Sequence, residues 1–357
     1  MSAVLPLELA KWLETVAEDI DLGEIPAEGI LPRLADAGLP RIGISENLGG
    51  AGGDASDAVD AVIEVARESL AAAFMLWGHR CYAEFLVQSP NHALRERQLP
   101  DILAGRIAGA SGLSNAMKFL AGLEELQVKA DDEGEDLLIN GKLPWVTNLR
   151  AGSFYVATAA DRPEGGPAII VALSHDDAGL ERSDDLALLG MRSSDTASVK
   201  LDGVRVPRER ILSEDAQAWL PIVRPTFIAL QCGMAIGLAG RALDAADSYG
   251  GAGRTILADE LSDRRQQLGN IHKAISTGLR SGAFVSNPAA LFELRIGLAS
   301  VVSDAVMLEL QAGGGRCYLR EPGRDFSRRW REAAFVPIIT PSVVQLRSVL
   351  AAAKKAA

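Results

Sequence analysis

Cysteine is scarce in this chain: three residues in 357, Cys81, Cys232 and Cys317, widely scattered and without metal-ligand spacing. That excludes a disulfide framework and a cysteine-built metal centre, and makes a reducing cytoplasm the expected compartment. Basic charge is also in short supply, with 36 Lys and Arg against 47 Asp and Glu and a net charge of −11. Neither nucleic acid nor an anionic membrane finds the basic face it would select, so neither is expected as a partner. No apolar run approaches the length of about 20 residues that a membrane helix needs. The segment Leu5–Leu13 lacks the basic start and apolar run of a secretion signal. What is plentiful is apolar mass, at 48% of residues, enough for a large core in two or three layered units.

Helical spacing dominates the first hundred residues, as in Leu5, Leu9, Leu13 and in Ala58, Val62, Ala66. The glycine-rich stretch Gly43-Ile44-Ser45-Glu46-Asn47-Leu48-Gly49-Gly50-Ala51-Gly52-Gly53 interrupts it as a loop. From about residue 107 the pattern changes to short apolar runs divided by turns: 125–130, 136–141, 154–158, 168–172 and 197–201, all expected to be strands. Acidic Asp131-Asp132-Glu133-Gly134 suits a hairpin turn better than a metal site, because no further ligands cluster with it. Helical spacing returns after about 213, and Lys354-Lys355 is expected to lie in a frayed end. Helices, then strands, then helices argue for an α+β arrangement and against a doubly wound sheet, which would alternate the two.

Several motifs then fall in one order. Leu189-Gly190-Met191-Arg192-Ser193-Ser194-Asp195-Thr196, running into 199–207, resembles a passage found across the acyl-CoA dehydrogenase family. Leu39–Gly52 is similar to that family's glycine loop, and Lys142-Leu143-Pro144-Trp145-Val146-Thr147-Asn148 matches its lysine, tryptophan, threonine and asparagine pattern. The resemblance implies a helical N-terminal domain (1–106), a middle β-barrel-like domain (107–213) and a C-terminal four-helix bundle (214–357). It also implies an FAD-dependent oxidoreductase acting on an acyl-CoA or related acyl substrate, assembled as a homodimer or homotetramer, or as a heteromer.

The resemblance carries roles residue by residue. Trp145 is expected against the flavin ring, and Thr147 to hydrogen-bond near its reactive nitrogen; periodicity alone would read both as packed strand residues. Ser114, in Ala110-Ser111-Gly112-Leu113-Ser114-Asn115, takes the place of a threonine at the flavin's pyrimidine edge, or is an exposed cap. The family's continuation, proline-glycine-x-glycine-serine-aspartate, is replaced by 116–122, a departure that bears on substrate contacts. Gln311, Gly314 and Gly315, in Gln311-Ala312-Gly313-Gly314-Gly315-Arg316-Cys317-Tyr318, resemble the segment that receives the dinucleotide half of FAD from a neighbouring subunit; alone, the glycines read as a helix C-cap. Arg254 occupies the place of a pyrophosphate arginine, although Leu257-Ala258 replaces the expected phenylalanine-glycine.

Dehydrogenation of an acyl thioester needs a base for the α-proton, a carboxylate in this family. With Arg331-Glu332-Ala333 and Ile338 matched, the family's glutamate falls on Thr340, and the alternative position falls near Phe227. Neither residue takes that proton at neutral pH. Three explanations stand: a flavin-dependent oxygenase or oxidase on the same scaffold, a companion subunit that carries the base, or another residue of this chain. His79, in Leu76-Trp77-Gly78-His79-Arg80, is the candidate for the last, against the plainer reading of a buried histidine satisfied by the backbone.

Overall fold

The computed structural model describes residues 5–163, 165–249 and 254–356. Five helices lead the chain: α1 (Leu7–Leu22), α2 (Ile30–Asp36), α3 (Ala55–Glu68), α4 (Leu70–Val87) and α5 (His92–Leu103). α3 starts at a capping box, with Asp54 accepting from the Ser56 amide and Asp57 accepting in return from the Asp54 amide at 2.7 Å. α4 is the axis of this half, buried from Leu70 through Leu86, because its apolar residues run round the whole helix. The glycine loop folds against it. A Cβ on Gly50 would stand 1.9 Å from the Ile44 carbonyl oxygen, so only glycine fits there.

The middle of the chain holds β1 (Ala108–Ser111), a short helix α6 (Ser114–Leu120), β2 (Val128–Glu133), β3 (Asp136–Val146), β4 (Phe154–Ala160), β5 (Ile169–Ser174), β6 (Leu180–Arg182), β7 (Ala197–Pro207) and β8 (Ile211–Ser213). Pairing resolves the barrel-like expectation into two four-stranded sheets, β1-β4-β5-β8 and β2-β3-β7-β6. A parallel bridge between Lys129 and Asp161 joins them. Of the acidic stretch expected to turn, Asp131–Glu133 pair as the end of β2, and the hairpin turns at Gly134-Glu135. The very short strands β1, β6 and β8 lack the alternation that would announce them in sequence.

The C-terminal part comprises α7 (Ala216–Ser248), α8 (Ala258–Arg280), α9 (Ala283–Ser286), α10 (Pro288–Gly313), α11 (Arg324–Phe335) and α12 (Val343–Ala356). α7, α8 and α10 form a bundle on which α11 and α12 close. Against the sequence expectation, α7 is long and apolar enough to cross a membrane by length and composition; 89% of its apolar window is buried inside the protein. Its small residues meet α3 of the N-terminal part, where a Cβ on Gly237 would come 2.4 Å from the Ile63 carbonyl oxygen. The two helical parts therefore share one core. Lys354 and Lys355, expected to fray, remain helical and exposed in α12.

Candidate functional site

A cavity of about 600 Å³ opens where α4, the ends of β1 and β3, the Leu188–Met191 segment and the turn after α11 converge. Burial distinguishes its mouth from its interior. Trp145, Leu189, Ile338 and Val344 are exposed at the rim, whereas Phe74, Trp77, Ser111, Thr147, Met191 and Thr196 are buried. Such a volume, mostly apolar with few polar groups, suits a small-molecule ligand.

The β-side wall is polar at chosen points. A register shift between Leu143 and Val146 ends the regular β3 pairing, leaving Trp145 61% exposed at the rim. Thr147 follows inside the cavity, its hydroxyl hydrogen-bonded to that of Thr196. Asn148 then adopts a left-handed φ of 63° and donates to the Gly109 carbonyl at 2.8 Å, fixing the strand end on β1. Ser111 ends β1 with its buried hydroxyl unpartnered. Beside it, Gly112 allows close packing: a Cβ there would sit 2.8 Å from the Ala157 carbonyl oxygen.

The Leu188–Met191 segment is held by one carboxylate. Asp21 of α1, fully buried, accepts from the Met191 amide at 2.6 Å and from Arg331 Nε at 2.7 Å, while Arg331 also reaches Glu18 at 3.0 Å. This clasp joins the first helix, the middle domain and α11, and allows Met191 its φ of 56°. It also occupies the Arg331 guanidinium. The other lining cation, Lys118 on α6, pairs with Glu124 at 2.7 Å.

The helical wall is aromatic. Phe74 stacks on Trp77 with centroids 5.5 Å apart, and Phe335 meets Phe74 edge-on at 4.8 Å. Trp77 in turn packs edge-on against Phe227 at 5.1 Å and donates its Nε1–H to the Phe227 carbonyl at 3.2 Å. Thr340 lines the cavity, and its carbonyl accepts from Gln231 of α7 at 2.7 Å. Among the described residues that line this cavity there is no Asp, Glu or His.

Ser114, Trp145, Thr147 and Thr340 thus meet in one place. Gln311, Gly314 and Gly315 do not line this cavity; all three are less buried, at the end of α10. The Arg254 side chain lies outside the described residues. Sequence reading passed over Ser111, Thr196 and the aromatic wall. The signal for the last was available, since Phe74 and Trp77 lie three residues apart on one face of the helix, whereas His79, two residues beyond Trp77, falls on another.

Comparison with known proteins gives this geometry a context. Residues 8–106 match the family model of the acyl-CoA dehydrogenase N-terminal domain. A probable acyl-CoA dehydrogenase of Mycobacterium leprae, fadE25, is 30% identical over 241 residues, covering 65% of this chain and 61% of the relative. The chain so matches less than two thirds of the length of the curated relatives. The butyryl-CoA dehydrogenase of Megasphaera elsdenii has the same fold, with TM-score 0.81 at 19% identity over 99% of both chains. Residues 8–106 thus carry the acyl-CoA dehydrogenase N-terminal domain, and the chain as a whole has the acyl-CoA dehydrogenase fold. KijD3, whose structure contains FMN and a dTDP-sugar, is a further fold neighbour, with TM-score 0.80 at 19% identity, covering 97% of this chain and 91% of that one.

His79 does not line the cavity. Its Nδ1 accepts from the Gly109 amide at 2.9 Å, so Nε2 carries the proton and donates to the Ile102 carbonyl at 2.7 Å. Burial, with the nearby Arg150 and Arg80 charges, pushes its pKa down to about 4 against the pull of the Ile102 carbonyl. The ring is neutral at pH 7, with both nitrogens engaged. Arg80 and Glu84 pair with each other at 3.1 Å, and Arg80 also donates to the Ile42 and Gly43 carbonyls at 3.3 and 3.1 Å, fastening the glycine loop to α4.

Proposed function

We propose that the cavity receives the ring of a flavin, as FAD, and that the protein is an oxidoreductase acting on an acyl thioester carried by coenzyme A. One observation carries the reading: Ser111, Ser114, Trp145 and Thr147 line the cavity that the Pro337–Thr340 turn closes from the other side. A bound flavin would supply reversible hydride chemistry. The remaining work falls to the chain. Trp145 offers an apolar plane at the rim, Thr147 a hydroxyl beside the ring, and Ser111 a hydroxyl with no partner of its own, fitting a polar edge. Phe74, Trp77 and Phe335 keep water from the interior. Gln311, Gly314 and Gly315 are exposed at the end of α10 and outside this lining, which fits a role toward the dinucleotide half in a neighbouring copy.

Among the described residues the cavity wall offers no carboxylate to take an α-proton, and Thr340 does not replace one. His79 is a positioning residue in this reading, holding β1 to α5 through its two ring nitrogens. That same carboxylate-free lining favours the second reading, an oxygenase on the same scaffold. Anaerobic addition of acyl-CoA thioesters of graded length to the flavin-loaded protein separates the two. Bleaching of the visible band means direct dehydrogenation. A band that stays until chemical reduction, followed by rapid reoxidation in air with substrate hydroxylation, means the oxygenase.

A further inference from the structure

Three hydroxyls run in line from the cavity into the middle domain. Thr147 Oγ1 bonds Thr196 Oγ1, and Thr196 Oγ1 bonds Ser194 Oγ at 2.8 Å. Their residues are 5%, 6% and 0% exposed, so solvent does not compete for these groups from the inner end. Among the described residues Ser194 Oγ has no other partner and Thr147 Oγ1 no second bond, while Thr196 Oγ1 makes both bonds of the line.

This connectivity favours one direction for the three protons. Each hydroxyl has one proton to donate. If the chain ran inward, Ser194 would bury its proton with no acceptor, and an unsatisfied buried donor is costly. If both neighbours donated to Thr196, its proton would have to leave the line for the cavity that this residue also borders, and Thr147 would present only lone pairs there. One arrangement keeps every proton along the line and at its open end: Ser194 donates to Thr196, Thr196 donates to Thr147, and Thr147 directs its own proton into the cavity. Hydrogen bonds in such a line polarise one another, so Thr147 is a stronger donor than an isolated threonine.

We propose that Thr196 and Ser194 are positioning residues that make Thr147 a fixed, outward hydrogen-bond donor to the bound flavin, and thereby raise its reduction potential. The inference rests on the flavin reading above. A donor favours whichever state carries more electron density at its acceptor, and a reduced flavin is that state. Neither Thr196 nor Ser194 touches the ring in this scheme; both act through Thr147.

The test is the potential of the flavin-loaded protein, measured by anaerobic dye equilibration for Thr147→Val, Thr196→Val, Thr196→Ser and Ser194→Ala. Thr147→Val is expected to lower the potential by a tenfold change in the two-electron equilibrium constant, about 30 mV. Thr196→Val should move it in the same direction by a smaller amount with Thr147 intact, Ser194→Ala by less again, and Thr196→Ser should restore it. Visible band positions should shift in parallel. Thr147→Val shifting the potential while Thr196→Val leaves it at the wild-type value overturns the relay, even if Thr196→Val lowers the melting temperature. A protein that binds no flavin overturns the reading of the site as well, and that outcome is visible before any variant is made.

Discussion

The two walls of the cavity are built on opposite principles. On the β side, backbone irregularities present polar groups: a register shift before Trp145, an orphan hydroxyl on Ser111, and a hydroxyl line ending at Thr147. On the helical side, four aromatic rings pack on one another, with the buried Arg328–Glu332 pair behind them and Arg331, held by Asp21 and Glu18, at the cavity's edge. One wall is shaped to contact a ligand by hydrogen bonds, the other to exclude water and limit volume. The difference teaches that the two faces of one cavity can be built independently, a polar one from backbone irregularities and an apolar one from packed rings.

The largest expected effect lies behind the helical wall. Glu332 of α11 accepts from Arg328 at 2.8 Å and from the Leu70 amide at 3.1 Å, tying α11 to the start of α4. Glu332→Ala strands the Arg328 charge in the interior and should cost about 3–5 kcal/mol in urea unfolding; a loss below 1 kcal/mol would show that the wall does not depend on this pair.

The walls should also answer to pH with opposite signs. His79, behind the helical wall, has a folded pKa of about 4 against 6.5 for the free group. The unfolded chain therefore binds the extra proton first, and His79's contribution, full above about pH 6.5, is lost as pH falls toward 4, on the order of 3 kcal/mol in total. His79→Gln should remove that loss, so its stability relative to wild type rises on acidification; a pH-independent difference would contradict a buried neutral ring. Asp195, behind the β wall, behaves inversely, since burial first and the Asp185 charge next raise its pKa from 3.8 to about 6. Its stabilising contribution is present below pH 3.8 and lost as pH rises through 6. Asp195→Asn keeps a residue that tolerates the φ of 49° and should stabilise the protein at pH 7 on the order of 1 kcal/mol. The gain should vanish below pH 4. Equal stabilities at pH 7 would mean that the carboxylate is not strained by its burial.

The smallest expected stability change is at the rim. Trp145 is 61% exposed, so Trp145→Ala should alter unfolding by no more than about 0.5 kcal/mol. Its effect should appear instead in flavin affinity, weakened about tenfold by loss of the stacking plane. A large stability loss with unchanged affinity would make Trp145 a packing residue.

Sequence alone made the helix–sheet–helix order visible because period 3.6 and period 2 change over cleanly near residues 107 and 213. The motif match also brought Ser114, Trp145, Thr147 and Thr340 to one cavity. It did not disclose the Asp21 clasp, because Asp21 and Met191 are 170 residues apart and nothing local marks a carboxylate that will be fully buried. Nor did it disclose the hydroxyl line, since Ser and Thr are common in turns and only the folded backbone aligns Thr147 with Thr196. His79 was visible as a histidine on the right helix. Which way its ring faces depends on β1, a four-residue strand with no signature in the sequence.

The most direct test of the account is an equilibrium titration of the purified, flavin-free protein with FAD, followed in the visible band and repeated with Thr147→Val and Trp145→Ala. The account requires saturable binding of one FAD per chain, a perturbed spectrum, and weaker binding in both variants with folding intact. Absence of binding, or binding that neither substitution alters, would contradict the assignment of this cavity to a flavin.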